Sequence, residues 1–145
     1  MTAYADTGFL CSLYAPDAHS ARAVARMRRQ ALPLPLTWLH QVEFRNALRL
    51  RVFRGEITQS QRDASLNALL TDTAGGVLTG AAPRLADILT EAERLSALHT
   101  ETLGTRSLDI LHVSSALVLG LAAFLTFDHR QIALAKAAGL RVPAL

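Results

Sequence analysis

The sequence predicts an α/β fold with a short parallel sheet and helices on both of its faces. Short apolar segments of strand length alternate along the chain with longer segments in which apolar residues recur at helical spacing. Strands that are separated by helices pair in parallel, and the helices then cover both faces of the sheet. The chain has 145 residues, which suits one ordinary domain. We therefore expect one domain over residues 1–145.

The first half of the chain contains clear start and stop signals. Pro33 and Pro35 bracket a turn into a brief strand, and Gly55 closes the helical pattern that follows it. Thr58 with Gln61 is a capping-box signature for the next helix. The predicted elements are a strand at 3–5, a helix that follows it through Leu13, a helix at 18–30, a strand at 34–37, a helix at 38–54 and a helix at 58–71.

The second half follows the same alternation. Pro83 suits the first residue of a helix, Thr105 suits a helix cap, and Gly120 and Gly139 suit helix ends. We predict a strand at 77–79, a helix from Pro83 that turns Leu85, Ile88, Leu89, Ala92 and Leu95 inward, a polar connection at 102–105, a helix at 106–119, a strand at 123–127, a helix at 129–138 and an edge strand at 141–144.

The composition argues against a membrane or secreted protein. The apolar run at 113–125 is interrupted by Ser and Gly and is too short to span a bilayer, so we expect no membrane segment. The N-terminal residues lack the pattern of a signal peptide, and Cys11, the only cysteine, cannot form an internal disulfide. We therefore expect a cytoplasmic protein. Its formal charge of +3 is a weak indication of a polyanionic partner.

Four acidic residues lie in apolar segments that should form the interior of the domain. We call them the four acids: Asp6, Glu43, Asp109 and Asp128. Buried carboxylates are costly unless they share a partner, and a divalent cation is the simplest one. Asp6 and Asp128 follow predicted strands, and ligands of parallel sheets collect at the carboxyl ends of strands. The alternative for each of these two is an ordinary helix N-cap.

The other two acids lie within predicted helices. Glu43 shares a helical stripe with Leu39, Asn46, Ala47 and Leu50, which should face the core. Its alternative is a surface pair with Arg45 or Arg49.

Asp109 is in the first turn of the helix that should be most buried, where the helix dipole favours a carboxylate. It shares a face with His112, Val113, Ala116 and Gly120. A salt bridge to Arg106 is the alternative for Asp109. We interpret His112 as a hydrogen-bonded core histidine and not as a ligand.

The four acids together form a set of oxygen ligands without a Cys cluster or a paired-His motif. Such a set selects a hard cation, Mg²⁺ or Mn²⁺, over Zn²⁺. A site of this kind suits hydrolysis of phosphodiesters.

Four sequence blocks resemble one known family. They are the early D-T-G at 6–8, the acid of V-E-F-R-N-A-L at 42–48, R-S-L-D-I-L-H-V-S-S-A-L at 106–117, and T-F-D-H-R-Q-I-A-L-A-K-A-A-G-L at 126–140. With these blocks, which extend over essentially the whole chain, it resembles the PIN-domain nucleases and, within them, the VapC-type toxins of bacterial toxin–antitoxin pairs. The last two blocks are the most specific.

The resemblance implies a three-layer α/β/α sandwich with a short parallel sheet and Mg²⁺-dependent endoribonuclease activity, with Mn²⁺ as a substitute. It also implies a homodimer and a small cognate antitoxin. The family roles carry over to Asp6 and Asp109 as direct metal ligands, to Glu43 and Asp128 as ligands in part through water, and to Thr7 and Thr126 as supporting groups. His129 stands where some relatives have a further acid, which leaves the number of metal ions open.

The expected chemistry is attack of a metal-activated water on an RNA phosphodiester. Arg106 and Arg130 should lie near the mouth of the site, where they contact RNA phosphates or are simply solvated charges at helix ends. Two alternatives remain. One is a PIN-fold nuclease of RNA processing or one that acts on DNA, and the other is a catalytically silent interaction module.

Overall fold

The computed structural model describes all 145 residues. The strands are β1 (Ala3–Ala5), β2 (Leu34–Leu36), β3 (Leu78–Gly80) and β4 (Ala123–Leu125). The helices are α1 (Thr7–Tyr14), α2 (Ser20–Met27), α3 (Trp38–Phe53), α4 (Gln59–Ala74), α5 (Leu85–Leu95), α6 (Glu101–Leu103), α7 (Ser107–Val118) and α8 (His129–Ala137), and a π-helical stretch at Ser96–Thr100 joins α5 to α6. None of the helices has the length and hydropathy that crossing a lipid bilayer requires.

The strands pair in parallel, as the alternation of strands and helices predicts. β1 pairs with β4, with Ala3 opposite Ala123, and β2 pairs with β3, with Leu34 opposite Leu78. β1 also lies beside β2, so the two ladders stand side by side at the centre of the molecule. The carboxyl ends of β1 and β4 are thereby adjacent, and each is followed by one of the four acids.

The side chains of the strands build a separate core on each face of the sheet, because successive strand residues point to opposite faces. Tyr4 and Phe124 are fully buried in one core, whereas Ala5 and Leu125 are buried in the other. The first core also contains Val113, Ala116, Leu134 and Ala135, and the second contains Phe9, Phe44, Leu48 and Leu69. The fold is therefore the predicted α/β/α arrangement, with α5, α7 and α8 on one face and α1 to α4 on the other.

The start of α5 differs from the prediction. Pro83 precedes the helix, and Arg84 occupies the N-cap. Ile88 and Leu95 are buried as expected, but Leu85 and Leu89 are each 53% exposed, so the prediction that they face inward is wrong. Helical spacing identifies an apolar face of α5. How much of that face is buried depends on how closely α7 packs against it.

The segment between α5 and α7 is helical where we predicted a polar connection at 102–105. The helix continues through the π-helical stretch and α6, and it ends at Gly104, which has a left-handed backbone with φ +65°. Thr105 does not cap α7, because Arg106 is at the N-cap. The Thr105 hydroxyl instead lies 2.7 Å from that of Thr100.

Other element ends shift by a few residues. The helix predicted at 18–30 spans only α2, β4 ends at Leu125 and not at residue 127, and the predicted edge strand at 141–144 is reduced to one bridge between Arg141 and Ala123.

The buried face of α3 is rotated relative to the predicted stripe. Its buried residues are Leu39, His40, Phe44 and Leu48. Asn46 is exposed and Leu50 is 40% exposed, so neither faces the core as we expected. Turning Phe44 and Leu48 inward buries more apolar area than the predicted stripe would. Glu43 is consequently at the edge of the buried face, where it is half-buried.

The capping box at the start of α4 is formed as predicted. The Thr58 hydroxyl accepts from the Gln61 amide at 3.1 Å, and the Gln61 side chain accepts from the Thr58 amide at 2.8 Å. Thr58→Ala removes one cap bond and should lower the free energy of unfolding by about 1 kcal/mol. Urea denaturation measures this change. Ser60→Ala, in the same exposed turn, is the matched control and should change the value by less than about 0.5 kcal/mol; equal effects of the two changes would contradict the role of the cap.

Candidate functional site

Asp6 and Asp128 both follow strands and cap the next helix. One carboxylate oxygen of Asp6 accepts from the Phe9 amide at 2.7 Å, and one of Asp128 accepts from the Arg130 amide at 2.7 Å. The N-cap alternative is therefore correct for both residues. It uses one oxygen of each carboxylate and leaves the other available for further contacts.

Thr126 connects these two acids. Its hydroxyl donates to the second carboxylate oxygen of Asp6 at 2.5 Å and accepts from the Asp128 amide at 3.0 Å. Thr126 thus bonds to both acids, and its role as a supporting group stays a prediction.

Glu43 reaches the same region from α3. Its carboxylate accepts from the Thr7 hydroxyl at 3.0 Å and from Nε2 of His112. Arg45 bonds to Gln41 instead, and no ion pair joins Glu43 to Arg45 or Arg49, so the structure does not contain the surface pair considered for Glu43. Because Thr7 directly follows Asp6, the bond from Thr7 ties Glu43 to the end of β1.

Asp109 is buried in the first turn of α7 and is paired with Arg106. The Arg106 Nε lies 2.8 Å from one Asp109 carboxylate oxygen, and its Nη2 lies 3.3 Å from a carboxylate oxygen of Asp128. The salt bridge that we considered as the alternative for Asp109 is therefore present. The same guanidinium also brings Asp109 and Asp128 to one place. Of the residues predicted to share the face of Asp109, Gly120 is exposed at the end of the helix.

Two sets of contacts therefore gather the four acids near the ends of β1 and β4. Thr126 and Arg106 link Asp6, Asp128 and Asp109, and Thr7, which follows Asp6 in the chain, holds Glu43. Asp6 and Asp128 also line an open cavity of about 300 Å³. As the side chains stand, however, no three His, Cys, Asp or Glu residues are placed to hold a metal ion. Arg106 instead bonds Asp109 and Asp128, and His112 bonds Glu43.

The electrostatics of the acids differ. Burial raises the pKa of Asp6, the hydrogen bonds from Thr126 and Phe9 oppose that rise, and the charge of Asp128 adds to it. Burial also disfavours ionisation of Glu43, but the hydrogen bonds from His112 and Thr7 outweigh it, so the pKa of Glu43 lies below its ordinary value. Glu43 is thus a stabilised carboxylate. Asp6 is a buried one with no ion-pair partner.

These residues fit a hard cation in their chemistry. All the acids offer oxygen atoms, which Mg²⁺ and Mn²⁺ prefer, and the buried Asp6 carboxyl group has no ion-pair partner. A cation held jointly by Asp6 and Asp109 requires the Arg106 guanidinium to release Asp109.

His112 is the hydrogen-bonded core histidine that we predicted, but sequence reasoning missed its bond to Glu43. It is buried as expected, but it contacts Glu43 through Nε2, and its Nδ1 lies 2.8 Å from the Tyr4 hydroxyl. Spacing within the helix gave no signal for the bond to Glu43, because Glu43 and His112 are 69 positions apart in the sequence. His40 is a different case: burial lowers its pKa to about 3, and it bonds to the backbone of Thr37 and Ala5.

The two arginines predicted to contact RNA have different surroundings. Arg106 is bonded to two of the acids, as described above. The Arg130 side chain is exposed and forms no hydrogen bond within the chain; only its amide contacts Asp128. Contact of either side chain with RNA stays a prediction.

Comparison with solved structures identifies the fold. VapC20 of Mycobacterium tuberculosis, described as a sarcin–ricin loop-cleaving toxin, matches with a TM-score of 0.71 and 17% identity over 96% of each chain. VapBC2 of Rickettsia felis, bound to a DNA fragment from its promoter, matches with a TM-score of 0.69 and 12% identity over 99% of this chain and 98% of the other.

A third similar structure is FitAcB of Neisseria gonorrhoeae, with a TM-score of 0.63 and 17% identity over 98% of this chain and 96% of the other. No protein-family model matches the sequence, and no curated protein matches it significantly. At these identities the likeness shows the fold, and it extends over nearly the whole chain. The chain therefore has the PIN-domain fold seen in VapC-type toxins.

Proposed function

We infer that residues 1–145 act as one nuclease domain, a Mg²⁺-dependent endoribonuclease that is the toxin of a type II toxin–antitoxin pair. The observation that carries this inference is the meeting of the four acids at the carboxyl ends of β1 and β4 in a PIN-type fold. The similar structure from Mycobacterium tuberculosis, described as a loop-cleaving toxin, supports RNA as the substrate.

In this function Asp6 and Asp109 hold the cation directly, and Glu43 and Asp128 complete the acidic site, in part through water. A bound Mg²⁺ or Mn²⁺ supplies an activated water and neutralises charge that develops on the phosphodiester.

The other side chains position the acids. Thr126 fixes the rotation of Asp6 through its 2.5 Å bond. Thr7 and His112 direct the Glu43 carboxylate toward the end of β1.

The partners follow from the same comparison. VapBC2 and FitAcB are named as two-component assemblies, which supports a small cognate antitoxin for this chain. We also assign it a homodimeric state and a cytoplasmic location, where RNA is available and Cys11 stays reduced.

The test is cleavage of labelled RNA by the purified protein. Mg²⁺ or Mn²⁺ should support endonucleolytic cuts, EDTA should abolish them, and excess Mg²⁺ should restore them, since the proposed mechanism takes its activated water from the bound cation. Gel electrophoresis of end-labelled single-stranded RNA and of the matching DNA measures both activity and polymer preference. Cleavage that persists in EDTA would contradict metal dependence, and equal cleavage of DNA would contradict an RNA-specific enzyme.

One observation favours a second candidate, a catalytically silent interaction module. The Arg106 guanidinium already bonds Asp109 and Asp128, as a permanent internal cation would in a site that no longer takes a metal. The cleavage assay distinguishes the two candidates, because a silent module cuts neither polymer at any Mg²⁺ concentration.

A further inference from the structure

A second cavity, of about 360 Å³, lies beside the four acids, and its charged lining side chains are basic. Its basic lining residues are His19, Arg22, His129 and Lys136, and none of its lining side chains is acidic. Arg22 and Lys136 are its two cationic side chains, and no carboxylate side chain faces them, which suits an anionic ligand.

This basic cavity adjoins the acid site directly. Thr126 lines it and also bonds to Asp6. His19 and Phe127 line both this cavity and the one that contains Asp6 and Asp128. A polymer strand that places one phosphate at the acids therefore has a neighbouring segment within reach of the basic cavity.

The wall between the two cavities is rigidly built. The rings of His19 and Phe127 stack with centroids 4.4 Å apart and planes 10° apart, and the Arg22 guanidinium lies 4.9 Å from the centre of the Phe127 ring. Arg22 also bonds to Nδ1 of His19 at 2.7 Å and to a main-chain oxygen of Leu145, the last residue of the sequence, at 3.3 Å. Because these contacts hold the guanidinium in place, Arg22 loses little conformational freedom when a phosphate binds.

We propose that the basic cavity binds the backbone phosphate of a nucleotide adjacent to the scissile bond of the RNA, with Arg22 and Lys136 as the principal contacts. The proposal rests on the proposed function, since it takes RNA as the ligand. Arginine suits this role because its fork matches two phosphate oxygens, and the volume is in the lower range of small-ligand sites, enough for one nucleotide. The cavity thus fixes which phosphate of the strand lies at the acids.

Equilibrium binding in EDTA tests the cavity without cleavage. Fluorescence anisotropy of a labelled 12-nucleotide single-stranded RNA is measured for the wild type, Lys136→Gln, Arg22→Gln and the double variant over a range of salt concentrations. Each lost phosphate contact should weaken binding about fivefold at 0.1 M salt and reduce the salt slope by about 0.7. The matched control is Arg49→Gln with Arg54→Gln, two exposed arginines that do not line the cavity, which should change the affinity less than twofold.

The single variants keep the test independent of folding. Lys136 is exposed and forms no hydrogen bond or ion pair within the chain, so Lys136→Gln should retain the circular dichroism spectrum of the wild type. The proposal would be overturned if the double variant had the same RNA affinity and salt slope as the wild type or the control. The proposal would also be overturned if the double variant bound RNA as tightly as the wild type but no longer bound a poly-glutamate peptide. The cavity would then take an acidic protein segment.

The proposed nuclease function is tested independently of the cavity. Wild-type protein that binds RNA tightly but does not cut it with Mg²⁺ contradicts the nuclease, while the affinities of the variants still decide the cavity.

Discussion

Asp6→Asn is expected to lower the rate of Mg²⁺-dependent RNA cleavage at least about 100-fold while the protein stays folded. Removal of a residue that only supports a metal ligand already costs about 10- to 100-fold, and Asp6 is assigned to the ligands themselves. The fold should survive, because Asn is as good an N-cap as Asp and its side-chain oxygen can accept from the Phe9 amide in the same way. Single-turnover cleavage of end-labelled RNA measures the loss, and circular dichroism measures the fold.

Two further variants make this result specific. Asp109→Asn should cause a similar loss, since both carboxylates are assigned to the same cation. Asp63→Asn is the matched control, because Asp63 is an exposed acid on α4 that pairs with Arg62; its rate should stay within about twofold of the wild type. Undiminished cleavage by both Asp6→Asn and Asp109→Asn would refute the assignment of the acid site.

The parts of the fold that follow from local chemistry were predictable. β1 is a short apolar run directly before Asp6, β4 is one that ends three residues before Asp128, and a buried strand followed by an N-cap has few other interpretations. The capping box of Thr58 and Gln61 is likewise a local signal, and it is formed. The spacing of apolar residues does not tell how much of an apolar helix face a neighbouring helix buries. Leu85 and Leu89 have ideal spacing for a buried face, yet α7 leaves each of them half exposed.

The four acids could be picked out from the sequence as candidates, whereas the contacts that they make could not, and their role as a site stays a prediction. Each of the four acids stood out because it lay in an apolar segment, which is a local observation. Arg106 and Asp128 are 22 residues apart, and His112 and Glu43 are 69 apart. Such pairings depend on how α3, α7 and α8 are packed around the strands, and sequence spacing within one helix carries no information about them. The cavity lined by His19 and Lys136 was missed for the same reason.

Addition of Mg²⁺ or Mn²⁺ should raise the unfolding temperature of the protein by about 5 to 10 °C. Burial raises the pKa of Asp6, so ionisation of this carboxyl group costs stability in the folded protein, and a cation bound beside it offsets that cost. A ligand present at 100 times its dissociation constant stabilises by about 2.7 kcal/mol, and each kcal/mol shifts the midpoint by about 2 to 4 °C at this size. Differential scanning calorimetry with and without the cation, at matched ionic strength, measures the shift.

The Arg106 guanidinium gives this prediction an internal check. It now occupies Asp109 and Asp128, so a cation must compete with it, and Arg106→Gln should enlarge the shift caused by Mg²⁺. Asp6→Asn should remove most of the shift, because the buried charge that favours the cation is gone. A shift of equal size in the wild type, Arg106→Gln and Asp6→Asn would mean that the cation binds elsewhere on the surface, and the acids would then have no metal to position.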